Sequence, residues 1–130
     1  MGRILRYIPP CLLSVATIAA ILWLTLSPQP TGEIQMPLFN GADKVAHAFM
    51  FGFLTLCLWI DRGKLRKRDT PGGTLLCALI ASSLGILIEY FQKWMDSGRS
   101  FEYADMIADI CGAATVALLL ISTTSHKKNP

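Results

Sequence analysis

Four apolar segments constrain the fold of this chain more than any other feature of its sequence. The termini and loops around them alternate between many and few positively charged residues. The segments lie at about residues 8–26, 44–60, 74–94 and 104–122, close to the roughly 20 apolar residues that a membrane helix needs. The chain of 130 residues is 52% hydrophobic and only 16% charged, so a separate soluble domain has no room. We predict one all-α domain over residues 1–130, a bundle of four transmembrane helices in a lipid bilayer.

Positive charge predicts the orientation of this bundle. Nine of the 12 Lys and Arg residues lie at the N-terminus, in the second loop or in the C-terminal tail. Because cytoplasmic loops carry the Lys and Arg excess, both termini should be cytoplasmic, and loops one and three should face outward. We expect the first segment to be a retained helix, since Ser27-Pro28-Gln29-Pro30 follows it rather than a small-residue cleavage site.

Polar residues of interest lie at the outward ends of segments two, three and four. Helical residues four apart share a face, which pairs Asp43 with His47 and Asp105 with Asp109. Charged groups are costly in a bilayer, so these side chains should face the bundle interior or a wet cavity. The sequence therefore predicts an outward-facing polar cleft formed by Asp43, Lys44, His47, Glu89, Gln92, Arg99, Asp105 and Asp109.

Four short patterns in these segments resemble one known family. In order, the chain contains Asp43-Lys44-x-x-His47-x-x-x-Phe51, Glu89-x-x-Gln92, Gly98-Arg99 and Asp105-x-x-x-Asp109-x-x-Gly112. Together they resemble the VanZ-like membrane proteins, named for a teicoplanin-resistance protein, over about residues 27–112. This chain has Asp109 where the family usually has Asn, which adds a negative charge to an acidic site. The resemblance implies a multi-pass protein of the bacterial inner membrane with a link to glycopeptide sensitivity.

Structural explanations exist for the same residues. Asp43 stands where a helix cap belongs, and Glu89 could join an interhelical hydrogen-bond network. Arg99 could grip a phosphate or carboxylate, or pair with an acid of its own loop. Asp105 and Asp109 could simply favour the start of a helix, where the dipole is positive.

Binding is the first function that fits the predicted cleft. The ligand would be a polar or anionic envelope lipid, a cell-wall precursor or a glycopeptide, attracted by Arg99, Lys44 and Lys93. The alternatives are an intramembrane enzyme and a purely structural partner. In the enzyme, His47 or Glu89 would be the general base, and the two acids of segment four would orient it or hold a metal.

Cofactors and other partners are less clearly indicated. No cofactor is evident, and a divalent cation held by the acids and His47 is an alternative. The basic run at residues 62–68 predicts topology rather than nucleic-acid binding, because it lacks readout residues. The four cysteines, none in a CxxC pair, are expected to be packing residues. The sequence does not indicate the oligomeric state.

Overall fold

Helices account for the fold of the described part of the chain. The computed structural model describes residues 9–26, 41–65, 70–95 and 102–126, and within them shows four helices and no strand. They are α1 (Leu12–Leu26), α2 (Ala42–Leu65), α3 (Pro71–Met95) and α4 (Tyr103–His126). The all-α prediction is confirmed. By length and composition α2, α3 and α4 can cross a membrane, whereas α1, with 15 residues, is shorter than such a span.

Two helix boundaries differ from the prediction at the basic loop. Helix α2 continues to Leu65 instead of ending near residue 60, and α3 begins at Pro71 rather than near residue 74. Lys64 Nζ lies 3.2 Å from Oδ1 of Asp61, and basic side chains stabilise a helix C-terminus. Pro71 suits a first helical turn, where its missing N–H leaves no bond unmade. Pro71, Gly72 and Gly73, which precede the predicted third segment, therefore form the first turn of α3.

Helices α2 and α4 approach closely at glycines. A Cβ atom on Gly112 would lie 2.7 Å from Cα of Ala48 and would collide with the carbonyl oxygen of that residue. On the facing helix, a Cβ on Gly52 would lie 3.1 Å from the carbonyl oxygen of Gly112. Small residues allow such approach between membrane helices. The buried apolar core consists of Ile21, Phe51, Leu54, Ala78, Ala81, Ile88, Ala113 and Ala117.

Helix α1 is joined to the bundle by hydrogen bonds near both of its ends. The backbone N–H and the hydroxyl of Ser14 both donate to Oδ2 of Asp61, at 2.9 and 2.8 Å. Nε2 of Gln92 donates to the backbone oxygen of Thr25 at 2.7 Å. These contacts place the start of α1 beside the end of α2, and the end of α1 beside the end of α3. Helices α1 and α3 therefore run in one direction, and α2 runs in the other.

Large apolar side chains cover much of the outer surface of the bundle. Phe49, Phe53 and Trp94 are exposed, and Trp94 keeps 79% of its accessible surface. A contiguous apolar exterior is typical of a protein surrounded by lipid. Phe51, in contrast to these residues, is fully buried in the core.

Candidate functional site

The starts of α2 and α4 meet the end of α3 at one end of the bundle. Six of the eight residues predicted for the cleft come together there, and Glu102 joins them from just before α4. We call this group the polar cluster; its members are Asp43, Lys44, His47, Glu89, Glu102, Asp105 and Asp109. The structure therefore brings together at one end of the bundle residues that the helical spacing on α2 and α4 had grouped.

Lys44 connects α2 to the start of α4. Its Nζ lies 2.7 Å from Oε2 of Glu102 and 3.3 Å from Oδ1 of Asp105. The contact with Glu102 is a hydrogen bond, whereas Oδ1 of Asp105 is buried without one among the described residues. Both Lys44 and Glu102 keep about two fifths of their side-chain surface exposed, while Asp105 keeps 7%. Lys44 thus lies at the rim of the polar cluster.

His47 and Asp109 form a buried pair beneath this rim. Nδ1 of His47 lies 3.0 Å from Oδ1 of Asp109, and the two side chains are 5% and 1% exposed. An ionised Asp109 accepts a hydrogen bond from Nδ1–H of His47, an assignment that leaves Nε2 for another partner. Gly85 on α3 provides the space for Asp109, since a Cβ atom there would lie 2.5 Å from Oδ2.

Glu89 reaches the polar cluster from α3. It is 1% exposed, and its carboxylate accepts a hydrogen bond from the backbone N–H of Glu102. The carboxylate therefore contacts the N-terminal end of α4, where unpaired N–H groups and the dipole favour an anion. It also interacts electrostatically with Asp105, His47 and Asp109. Its other oxygen, Oε2, is buried and has no hydrogen-bond partner among the described residues.

Asp43 completes the polar cluster from the first turn of α2. One ligand atom from each of Asp43, His47 and Asp105 lies within 4.8 Å of the other two. Two of these residues are buried, and Asp43 is exposed. Two ligands of one ion at roughly 2.0–2.2 Å from it lie at most about 4.4 Å apart, so small side-chain rotations would bring this carboxylate–imidazole–carboxylate group onto one metal ion.

Two residues predicted for the cleft do not join the polar cluster. The amide of Gln92 is buried against α1 and donates to the backbone oxygen of Thr25, so it connects α3 to α1 rather than to the polar cluster. Arg99 lies outside the described residues. Glu102 was considered in the sequence only as a partner for Arg99. Its position three residues before Asp105 was a usable signal, because residues three apart share a helix face.

An apolar groove runs along α2 and α4 beside the polar cluster. It encloses about 480 Å³ and is lined by Val45, Ala48, Phe49, Gly52, Cys111 and Val116, among others. Val45 and Ala48 directly flank Lys44 and His47 in the sequence, so the groove begins within one helical turn of the cluster. The polar cluster and the apolar groove therefore lie next to each other, as the head group and the chain of an amphiphile would require.

The helices and the polar cluster define a class of protein: an α-helical membrane protein in which four buried ionisable residues gather at one end of the bundle. The VanZ/LLP1 family model matches residues 10–124, nearly the whole chain. This chain belongs to the VanZ/LLP1 family, which confirms the resemblance found in its sequence.

A fungal protein is among the relatives of this chain. An uncharacterized protein of Schizosaccharomyces pombe is 30% identical over 86 residues, which are 66% of this chain. The aligned part covers 49% of that relative, so this chain spans about half the length of the curated protein it matches. No solved structure matches this chain.

Proposed function

We propose that the polar cluster binds the head group of an amphiphile whose chain lies in the groove between α2 and α4. The amphiphile would be an envelope lipid, a lipid-linked cell-wall precursor or a glycopeptide with an acyl chain. The observation that supports this proposal most is that an apolar groove of about 480 Å³ begins at Val45 and Ala48, the sequence neighbours of Lys44 and His47 in the polar cluster. Ligand sites combine mostly apolar walls with a few polar groups that fix orientation.

The charges of the polar cluster favour some head groups over others. Its described residues include five carboxyl groups, but only Lys44 and the His47 imidazole as possible cations. Such a site suits head groups with amine and hydroxyl groups, because these donate hydrogen bonds that carboxylates accept. An anionic head group would depend on Arg99 and Lys93 in addition to Lys44. The proposal therefore favours an amine-bearing sugar or peptide head group.

The orientation of the chain is part of the same proposal. The excess of Lys and Arg at the termini and in the second loop supports cytoplasmic termini. The polar cluster would then face the outer leaflet of a bacterial inner membrane, where lipid-linked precursors and glycopeptides meet. Binding there would influence sensitivity to teicoplanin by competing for, or sequestering, the drug.

Binding of teicoplanin to the purified chain in nanodiscs tests the proposal. Lys44→Met and His47→Ala should weaken binding by about tenfold or more, as expected for partly or fully buried polar contacts. Lys64→Met is the matched control, since Lys64 also pairs with an acid but at the other end of α2. Folded Lys44→Met and His47→Ala proteins that bind like wild type would refute the site.

One observation favours a second candidate, an intramembrane enzyme. The hydrogen bond between His47 and Asp109 orients an imidazole as a general base requires, with Nε2 left for the substrate proton. Glu89 is the other candidate base, and Asp105 would orient the reacting groups. Incubation of the nanodisc protein with a lipid-linked cell-wall precursor should then yield product that His47→Ala abolishes. Binding without turnover would leave head-group recognition as the function.

A further inference from the structure

We infer that Asp43, His47 and Asp105 bind one divalent transition-metal ion, with the buried carboxylate of Glu89 beside them. This inference concerns the same site as the proposed amphiphile binding and adds a ligand to it. The first support is geometric: ligand atoms of the three residues lie within 4.8 Å of one another. They come from two helices, α2 and α4, which the contact at Gly112 holds close together.

Glu89 supplies independent support. Its side chain is 99% buried, and its Oε2 has no hydrogen-bond partner within the described ranges. It interacts electrostatically with both His47 and Asp105, so it lies beside the three ligands. A buried carboxylate oxygen without a partner costs free energy unless a cation or donor meets it. Glu89 therefore adds a buried, unpartnered carboxylate oxygen beside the three ligands, which a bound cation would stabilise.

The hydrogen bond of His47 fits a metal ligand. Metal-binding imidazoles usually donate their second N–H to a carboxylate, which fixes the ring and raises its basicity. Asp109 accepts from Nδ1 at 3.0 Å, which leaves Nε2 for an ion. Asp109 is itself fully buried, and Gly85 leaves just enough space for it. Asp109, which orients the imidazole of His47, is thus itself fixed by close packing.

Lys44 is the nearby cation that could replace a metal ion. Its shorter contact is with Glu102, at 2.7 Å, and both side chains lie toward the rim. Asp105 lies 3.3 Å from Lys44 and forms no hydrogen bond through that buried oxygen. Lys44 therefore pairs with both Glu102 and Asp105, and it is the one lysine of a cluster with five carboxyl groups, an excess of negative charge that an ion would offset.

The ligand types indicate which ions would bind. An imidazole with two or three carboxylates suits Zn²⁺ or Mn²⁺, whereas Ca²⁺ and Mg²⁺ prefer oxygen ligands alone. Among these ions Zn²⁺ should bind more tightly than Mn²⁺, following the usual order of divalent affinities. The exposed carboxylate of Asp43 leaves the ion accessible from the membrane surface, where it could contact a phosphate or carboxylate of the amphiphile.

Titration of the full chain with Zn²⁺ and Mn²⁺ tests the inference. Protein purified in detergent and treated with EDTA should bind about one Zn²⁺ per chain by calorimetry and mass spectrometry, and Mn²⁺ should give the spectrum of a bound ion. Asp43→Asn and Asp105→Asn should each weaken Zn²⁺ binding by at least about 10–100-fold. Loss of a residue that only hydrogen-bonds to a metal ligand already has an effect of that size. Since Asp43 is exposed, its substitution removes a ligand without disturbing the core.

Asp69→Asn is the control, because it removes the same charge from the connection between α2 and α3. Unchanged binding in that variant, with loss in the other two, would support the site. Folded wild-type protein that binds no stoichiometric Zn²⁺ or Mn²⁺ would overturn it, as would equal binding in Asp43→Asn. Teicoplanin binding measured with and without EDTA separates the two proposals. If binding requires Lys44 but persists in EDTA, the metal site is refuted and the amphiphile site is supported.

Discussion

Replacement of Gly112 by alanine tests the packing on which the site depends. The added Cβ would lie 2.7 Å from Cα and 2.6 Å from the carbonyl carbon of Ala48. Carbon atoms in contact are normally about 3.5–4.0 Å apart, so α4 has to move by about 1 Å at this point. The obstacle is backbone rather than a flexible side chain. We expect the variant to lose about 1–3 kcal/mol of its free energy of unfolding, the usual cost of overpacking.

Gly72→Ala is the matched control for this substitution. Nothing lies within 4 Å of a Cβ placed on Gly72, in the first turn of α3. Both variants exchange glycine for alanine in a helix, so their helix propensities change in the same direction by up to about 1 kcal/mol. The difference between the two variants therefore isolates the contact with Ala48.

Reversible unfolding by SDS in mixed micelles, followed by tryptophan fluorescence, measures both variants against wild type. The same shift of α4 separates Asp105 from Lys44 and Asp109 from His47, so teicoplanin and Zn²⁺ binding should weaken in Gly112→Ala only. The reasoning would be refuted if Gly112→Ala and Gly72→Ala were equally stable within about 0.5 kcal/mol, the scatter usual for unrelated sites.

Three further predictions concern single buried polar groups. Gln92→Leu should lower the free energy of unfolding by about 1–3 kcal/mol, because the carbonyl of Thr25 loses its donor, while teicoplanin binding in nanodiscs stays unchanged. Asp61→Asn should cost a similar amount, about 1–3 kcal/mol in SDS unfolding, because the bonds from Ser14 lose their charged acceptor; a double-mutant cycle with Ser14→Ala should show coupling. Asp109→Asn keeps an oxygen for the imidazole but removes a charge, so Zn²⁺ affinity by calorimetry should fall about 10–100-fold with little loss of folded protein. Unchanged Zn²⁺ affinity there would contradict the role given to the pair.

Helical periodicity predicted the polar cluster well because its members obey simple spacing rules. Asp105 and Asp109 are four residues apart and point to the same side, toward Lys44 and His47 near the start of α2. Because ionised groups are costly in lipid, the helix faces that carry these residues are expected to face the bundle interior. No knowledge of the tertiary structure was needed for that step.

Other features depend on packing that spacing alone does not reveal. Gln92 is three residues from Glu89, which turns it by about 60° around the helix and toward α1. Asp61 follows directly after the predicted end of the second segment near residue 60, yet it is 3% exposed and bonded to Ser14. Its burial follows from the extension of α2 and from the position of α1, and a single sequence specifies neither by periodicity.

Asp109 connects the shape of the site to its charge. Gly85 leaves space for a planar side-chain end of this size, and Nδ1–H of His47 needs an oxygen acceptor there. An asparagine, as expected from the resemblance to VanZ-like proteins, would satisfy both requirements because its Oδ1 also accepts. The exchange therefore leaves the geometry of the pair unchanged and alters only its charge. An additional buried carboxylate strengthens the preference of the cluster for cations, since each uncompensated charge in an apolar bundle is costly. The ligand of this chain should accordingly differ from that of an asparagine-bearing relative in charge rather than in shape.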